Sequence, residues 1–283
     1  MPLDVNDMFE EAHDEGSISK QSLQILKGGN LQQQVNLAMG ASVDDLIANE
    51  TLLVTLTIDD SGSVRFEAGN ADAIRKGHNT CRDEVLAGSR SAAAVLMHTR
   101  YLNNGTLYPY MPLAGVPDMT PKNYNPSGGT PLFDSMLDTF AVVIAKVKEC
   151  TDAAIPCRTV TVIITDGGDT DSKTTPVQLR PIVEDMIKAE TNIVIGIGVS
   201  DGMTNFDAVF QSCGIPPDWI LTPQNSPSEW RKVFGVISKS SQVMSKTGMN
   251  STMFAASASA GIGSLGGFEW DDDDDDTPST THD

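Results

Sequence analysis

The chain has 283 residues, of which 40% are hydrophobic, enough to bury the core of one large domain or two small ones. Its formal net charge is −19, and the excess acids lie at the two ends: residues 1–20 hold six acids and one lysine, and residues 268–283 hold eight acids and no lysine or arginine. Without a basic patch to displace counterions, binding to a phosphate backbone is disfavoured. The sequence contains no run of 18 apolar residues, so no membrane span is predicted.

Two further features predict a cytoplasmic protein. The first residues lack a basic segment followed by an apolar one, so no secretory signal is predicted. The four cysteines lack the spacing of zinc or redox motifs. Cys150 and Cys157 could pair in an oxidising compartment, but free thiols in the core of a cytoplasmic protein are the favoured interpretation.

Residues 1–50 are interpreted as a weakly helical N-terminal extension. Their helical signals are short, as at Val43–Ile47, and the pair Gly28-Gly29 interrupts them. No pattern of apolar residues in this segment indicates an independent core. We therefore place the start of the main domain at residue 51.

Residues 51–246 alternate between strand and helix patterns and are interpreted as one domain. Strands are predicted where apolar and β-branched residues run continuously, and helices where apolar residues recur every three or four positions. Asn103-Asn104-Gly105 is typical of a hairpin turn and adds one antiparallel strand. The predicted strands are Leu52–Ile58, Ala92–Tyr101, Thr106–Leu113, Thr159–Thr165, Asn192–Val199 and Trp219–Thr222, and the predicted helices are Ala71–Ala87, Pro131–Glu149, Pro176–Ala189, Phe206–Cys213 and Pro227–Lys246.

This alternation predicts an α/β protein with three layers and a Rossmann-like, mostly parallel sheet, in which one strand is antiparallel and helices cover both faces. Pro131 is expected at the first position of its helix, where its missing N–H is not needed. In sheets of this kind, ligands bind beyond the carboxyl ends of the strands. A functional site is therefore expected in the loops at that edge.

Residues 247–283 are interpreted as a tail. A stretch rich in Ser, Ala and Gly leads to Phe268, Trp270 and six consecutive aspartates, Asp271–Asp276, and we predict that 255–283 is disordered or weakly ordered. Three roles stay open for its charge: a solubilising end, a docking peptide with aromatic anchors, or a source of carboxylates that reaches a metal site in the same chain or links two chains.

Oxygen-bearing side chains are concentrated in three segments that lie far apart in sequence. Hydroxyls and carboxylates are the ligands that hard divalent cations prefer. Taken singly, each segment also has an ordinary interpretation, because Ser and Thr cap helices and Asp-Gly forms turns. The three segments are Asp59-Asp60-Ser61-Gly62-Ser63, Gly128-Gly129-Thr130-Pro131 and Thr165-Asp166-Gly167-Gly168-Asp169.

Together, and in this order within the strand–helix framework, the three segments resemble the von Willebrand factor A (vWA) domain, whose signature is a metal-ion-dependent adhesion site. The resemblance covers about residues 50–245 and implies that the serines and the threonine bind the ion directly, while the aspartates act largely through water. Magnesium is the expected ion, and manganese or calcium would also suit these ligands. Asp60, Asp169 and Asp171 are left out of the ligand set. The five matching positions are Asp59, Ser61, Ser63, Thr130 and Asp166.

The resemblance implies binding rather than catalysis. Neutral hydroxyl ligands leave the charge of the ion poorly compensated, so an Asp or Glu from a protein partner completes its coordination. Many intracellular prokaryotic relatives serve AAA+ ATPases or stress and defence assemblies, and we expect such an adaptor here. The alternatives are a non-catalytic subunit of a metal-chelatase-like complex and a secreted adhesin. The sequence has no GxSxG elbow and no P-loop lysine, so no enzyme activity is predicted.

Overall fold

The computed structural model describes residues 4–45, 50–89 and 95–246. The predictions made for 247–283, including the run of aspartates, lie outside the described residues. The strands are β1 (Thr51–Ile58), β2 (Val95–Tyr101), β3 (Gly105–Pro112), β4 (Cys157–Thr165), β5 (Asn192–Gly198) and β6 (Ile220–Leu221). The helices are α1 (Val5–Asp14), α2 (Lys20–Gly28), α3 (Gln32–Ala38), α4 (Asn70–Gly88), α5 (Leu132–Asp152), α6 (Pro176–Lys188), α7 (Phe206–Ser212) and α8 (Pro227–Lys246).

In the part of the chain that the structure describes, six strands form one sheet in the order β3-β2-β1-β4-β5-β6. All neighbours are parallel except β2 and β3, which form the predicted hairpin. Every residue of β1 is buried, as expected for a central parallel strand covered on both faces. The chain leaves β1 towards one edge of the sheet and returns to build the other edge from β4, so the switch point lies between β1 and β4.

Helices cover the sheet, and the predicted α/β fold is confirmed. Helix α5 packs on β1 and β4, as does α8, which also lies along α4. The contact between α4 and α8 depends on glycine: a Cβ added at Gly77 would overlap the ring of Phe234. Pro131 is the N-cap of α5 rather than its first helical residue. None of the helices within the described ranges is long and apolar enough to cross a bilayer.

The N-terminal segment contains more helix than its sequence signals indicated. Helices α1 and α2 begin at side-chain caps, where Asp4 accepts a hydrogen bond from the Asn6 amide and Ser19 accepts one from the Ser22 amide. Most apolar side chains of α1–α3 are buried or half-buried, and the three helices pack against α5, α6 and β3. These packed faces stabilise helices that are too short to persist alone. The boundary at residue 50 stays a prediction.

Candidate metal centre

The structure brings all five predicted ligand residues to the switch point between β1 and β4. Asp59 follows β1 directly, and Asp166 follows β4 directly. A short 3-10 helix, Gly62–Arg65, begins three residues after Asp59, with Ser61 as its N-cap and Ser63 in its first turn. Thr130 lies just before α5. Parallel strands end at the same edge of the sheet, so these sequence-distant side chains converge there.

The side-chain oxygens of the site contact each other. The Ser61 and Ser63 hydroxyls are 2.7 Å apart, and the Ser63 hydroxyl donates to Asp166 Oδ1 at 2.5 Å. Thr130 Oγ1 lies on the same side, because a Cβ added at Gly167 would lie 3.5 Å from it and 3.9 Å from Ser63 Oγ. Hydroxyls from two loops therefore face one carboxylate from a third.

Asp59 holds the loops after β1 and β4 together. Its Oδ1 accepts a hydrogen bond from the Ser61 amide at 2.7 Å, and its Oδ2 accepts one from the Thr165 hydroxyl at 2.8 Å and one from the Asp166 amide at 3.2 Å. Its carbonyl oxygen accepts the Tyr124 hydroxyl at 2.6 Å. Both carboxylate oxygens are therefore occupied by this chain, which agrees with the indirect role that the resemblance implies for Asp59.

Two buried aspartates of the site both have a raised pKa. Burial raises the pKa of Asp59, although the hydrogen bonds from Ser61 and Thr165 act in the opposite direction. Burial and repulsion from Asp59 raise the pKa of Asp166 to about 7, against the stabilising bond from Ser63. Asp166 Oδ2 is buried and has no hydrogen-bond partner among the described residues. An orphaned carboxylate oxygen beside three hydroxyls fits a hard divalent cation.

The loop before α5 is fixed in place by hydrogen bonds on two sides. The Gly62 amide donates to the Gly128 carbonyl at 3.1 Å. The Thr130 amide donates to the Thr170 hydroxyl at 2.9 Å, and the Thr170 amide returns a bond to the Thr130 carbonyl at 3.1 Å. A Cβ added at Gly129 would lie against the Asp171 carboxylate and 3.0 Å from Thr170 Oγ1, so the two loops approach each other closely here. Thr130 is thus positioned by both neighbouring loops.

Sequence reasoning missed the role of Asp60. Its side chain is buried and accepts hydrogen bonds from the backbone amides of Asn103 at 2.8 Å and Asn104 at 3.2 Å, as well as from both asparagine side chains. Asp60 therefore fastens the β2–β3 turn to the loop that carries the serines. The Asn-Asn pair in the turn is the sequence signal, but only the tertiary fold shows which acid it binds.

The candidate site is built mainly from hydroxyls, so it differs from the clusters of three or more His, Cys, Asp or Glu that form many metal sites. Across 4–45, 50–89 and 95–246, no group of three or more His, Cys, Asp or Glu residues could hold a metal ion. The donors here are three hydroxyls and two carboxylates, an all-oxygen set that suits magnesium, manganese or calcium rather than zinc or copper.

Solved structures with a similar fold include the pilus adhesin SpaC of Lactobacillus rhamnosus GG, which matches at 13% identity and a TM-score of 0.53 over 68% of this chain and 31% of the adhesin. The SpRpn10 VWA domain matches at 10% identity and a TM-score of 0.41, over 66% of this chain and 94% of that one. The manganese-loaded TRAP protein of Plasmodium vivax matches at 14% identity and a TM-score of 0.39, over 68% of this chain and 73% of that one.

The chain has a vWA-like fold, as the sequence predicted. No protein-family model matches the sequence, and no curated protein matches it. The match covers only 48% of proximal thread matrix protein 1 from the mussel byssus, another similar structure, and about a third of the adhesin. Identities this low show a shared fold alone, so ligands and partners must be argued from the residues of this chain.

Proposed function

We propose that this protein is a metal-dependent protein-binding module. Ser61, Ser63 and Thr130 would hold a magnesium ion directly, and Asp59 and Asp166 would act largely through water. When bound, the ion supplies a positive charge that neutral hydroxyls leave poorly compensated, so an Asp or Glu of a partner protein can complete its coordination. The observation that carries the proposal is the Oδ2 of Asp166, which is buried beside the hydroxyl cluster and has no hydrogen-bond partner within the described ranges.

Exposed apolar side chains next to the site support a protein partner. Phe66 is 86% exposed, and its amide donates to the Ser63 carbonyl at 2.8 Å. Met203 is 91% exposed, and its amide is bonded to Asp201, whose charge helps to raise the pKa of Asp166. Large apolar residues beside a polar centre are typical of interaction surfaces. Binding rather than catalysis is therefore the function that we propose.

The partner that we propose is an AAA+ ATPase or a component of a stress or defence assembly, with this protein as its cytoplasmic adaptor. A non-catalytic subunit of a metal-chelatase-like complex would use the same surface. The similarity in fold to a pilus adhesin favours adhesion as a second candidate function. In all three cases the chemistry is the same: a carboxylate of another protein binds at the metal.

Calorimetric titration with magnesium chloride tests the metal site. The wild-type protein is expected to bind one ion, and Thr130→Ala to show no measurable binding, because it removes one of three direct ligands. The matched control is Thr151→Ala, which removes an exposed hydroxyl from α5. Circular dichroism should show the same fold in all three proteins. Equal magnesium binding by wild type and Thr130→Ala would refute the site.

An immobilised peptide library tests carboxylate capture. Each random peptide carries one central glutamate, and a matched library carries glutamine at that position. We expect magnesium-dependent binding of glutamate peptides only, abolished by EDTA and by Ser61→Ala. Capture that persists in EDTA, or that does not distinguish glutamate from glutamine, would overturn the mechanism even if the ion binds.

A further inference from the structure

The segment between β3 and α5 carries Thr130 to the candidate metal centre. Residues 116–131 form no helix or strand, so side chains of other elements must hold them in place. The Asn79 side chain, on α4, pairs with the backbone of Met119: its Oδ1 accepts the Met119 amide at 2.8 Å, and its Nδ2 donates to the Met119 carbonyl at 3.1 Å. The first half of the segment is therefore anchored on α4.

Tyr124 fixes the second half of this segment at three points. Its ring is completely buried and lies 5.4 Å from the ring of Tyr101 at the end of β2. Its backbone carbonyl accepts a hydrogen bond from the Arg75 guanidinium at 3.1 Å. Its hydroxyl donates to the backbone carbonyl of Asp59 at 2.6 Å, which joins the segment to the loop after β1. Burial, followed by the charge of Asp59, holds the pKa of the phenol well above its usual value, so the hydroxyl keeps the proton that it donates.

Further hydrogen bonds join this segment to the loop after β1, but they involve exposed residues. The Ser127 amide donates to the Asp60 carbonyl at 2.6 Å, and the Gly62 amide donates to the Gly128 carbonyl at 3.1 Å. Ser127 and Gly128 are both exposed, so water competes for these bonds. Breaking a bond inside the protein leaves a buried group unpaired, which costs more. The buried Tyr124 hydroxyl therefore fixes the spacing of the two loops more firmly than the exposed bonds do.

Both loops carry residues that the proposed function assigns to the metal, Ser61 and Ser63 on one and Thr130 on the other. Magnesium requires near-ideal octahedral geometry with oxygens at about 2.0–2.1 Å, whereas calcium accepts irregular geometry with oxygens at about 2.3–2.6 Å. A site of hydroxyls selects magnesium when their spacing is rigid. We propose that Tyr124 is the positioning residue that makes the site prefer magnesium to calcium. This role rests on the proposed function, and Tyr124 exerts it through the backbone of Asp59.

Tyr124→Phe removes this hydroxyl and keeps the ring. Calorimetric titration with magnesium chloride and, separately, with calcium chloride measures the preference. We expect the magnesium affinity to fall about tenfold, as for other groups that orient metal ligands, and the calcium affinity to change less than about twofold. The ratio of the two affinities is the readout, because a change that only destabilised the fold would leave that ratio unaltered. A Tyr124→Phe protein that keeps the wild-type ratio would overturn the proposal.

Tyr110→Phe is the matched control for the loss of a buried phenol hydroxyl. Tyr110 is also completely buried, and its hydroxyl is 2.5 Å from that of Thr55 in the middle of β1. Urea unfolding in EDTA should show a loss of stability in both variants, but Tyr110→Phe should keep the wild-type affinity for each ion. An equal change of the affinity ratio in both variants would mean that Tyr124 has no special role at the site.

Amide hydrogen exchange in EDTA gives a readout that does not depend on the ion. Tyr124→Phe should speed the exchange of the Ser127 and Gly62 amides, whereas Tyr110→Phe should not. Arg75→Gln, which frees the Tyr124 carbonyl from α4, should shift the affinity ratio in the same direction by a smaller amount, and it keeps the proposal testable if Tyr124→Phe fails to fold. A wild-type protein that binds neither ion would refute the proposed function, whereas unchanged exchange in Tyr124→Phe would refute the positioning role alone.

Discussion

Two buried charges show how differently the two sides of this molecule are built. Lys146 on α5 is completely buried, and its ammonium donates to the Met39 carbonyl at 3.0 Å, the Ala41 carbonyl at 2.6 Å and Glu149 at 2.8 Å. Asp166 is equally buried, yet one of its oxygens has no partner in the described part of the chain. A buried charged group whose hydrogen bonds are all made stabilises the fold. A buried charged group that lacks a hydrogen-bond partner is suited to bind a ligand.

The largest expected effect on stability comes from removing the Lys146 ammonium, whose three hydrogen bonds are all made. Lys146→Met keeps the length of the side chain but leaves two carbonyls and Glu149 without their donor. We expect the free energy of unfolding to fall by about 3 kcal/mol, as for other buried pairs that lose one partner. Urea unfolding followed by circular dichroism measures it.

Lys188→Met is the matched control, since Lys188 lies exposed near the end of α6. Its change in stability should stay within about 0.5 kcal/mol. Magnesium affinity should be unchanged in both variants, because neither touches the candidate metal centre. A Lys146→Met protein as stable as the control would show that the buried ammonium contributes little to the fold.

Removing the charge of Asp166, which lacks one partner among the described residues, should instead increase the stability of the protein. Asp166→Asn eliminates a desolvated carboxylate and its repulsion with Asp59, so the free energy of unfolding without divalent ions should rise by about 1–2 kcal/mol. The same change removes a charge that the ion needs, so magnesium should no longer stabilise the protein. Thermal unfolding with magnesium and with EDTA measures both effects.

Asp218→Asn is the control for this variant, because Asp218 is exposed. It should respond to magnesium as the wild type does. If Asp166→Asn were destabilised in EDTA, the site would be a structural network that is already complete. The two buried charges would then belong to the same class, and the comparison that motivates the proposed function would fail.

Much of the fold could be predicted because its signals are local. Continuous apolar runs such as Leu52–Ile58 predict strands, and the structure confirms this strand. Asn103-Asn104-Gly105 predicts a hairpin, and the structure confirms it as well. The ligand residues were found because three short motifs keep a fixed order along the strands. Their role as metal ligands stays a prediction, although the structure places them together.

The rest depends on tertiary contacts that no local pattern encodes. The sequence pattern predicts that Lys146 is a polar, exposed position on an amphipathic helix. Its burial results from the segment before β1, whose Met39 and Ala41 carbonyls accept bonds from its ammonium. In the sequence, Asp60 is one of several acids near the site, and only the fold shows that Asn103 and Asn104 donate hydrogen bonds to it. Pro131 caps α5 instead of opening it, a difference of one residue at a boundary.

A smaller effect is expected from the apolar residues beside the site. The double variant Phe66→Ser with Met203→Ser removes two exposed side chains that a partner could cover, so binding of the glutamate peptides should weaken about tenfold. Magnesium affinity should not change, because neither residue supplies a ligand. Fluorescence anisotropy with one selected peptide measures the affinity.

Leu37→Ser is the control for surface hydrophobicity, since Leu37 is 54% exposed on α3, which packs beside the edge strand β3. We expect it to bind the peptide as the wild type does, and all three proteins to keep their stability within about 0.5 kcal/mol. Equal affinity of the double variant and the wild type would limit the interaction to the metal and its carboxylate.

The smallest effect concerns the acidic tail, for which we propose that a tail carboxylate competes for the metal. The Met244 carbonyl near the end of α8 accepts a bond from Arg158 near the start of β4, so α8 ends at the end of the sheet opposite the site. Twenty-five positions separate Lys246 from Asp271, so this segment could reach at most about 80 Å. Strand β4 is about 30 Å long, so the aspartates are within reach of the site at its other end. Deleting 268–283 should therefore raise the affinity for a glutamate peptide about twofold to threefold.

A chain in which Asp271–Asp276 are all replaced by asparagine separates charge from length, and it should behave as the deletion does. Sedimentation velocity then decides how the tail reaches the metal. A wild-type protein that becomes smaller when magnesium is removed uses its tail between chains, and one whose size is constant uses it within a chain. If peptide affinity and size are both unchanged by deletion, the aspartates only keep the protein soluble. The carboxylate that completes the site must then come from another protein.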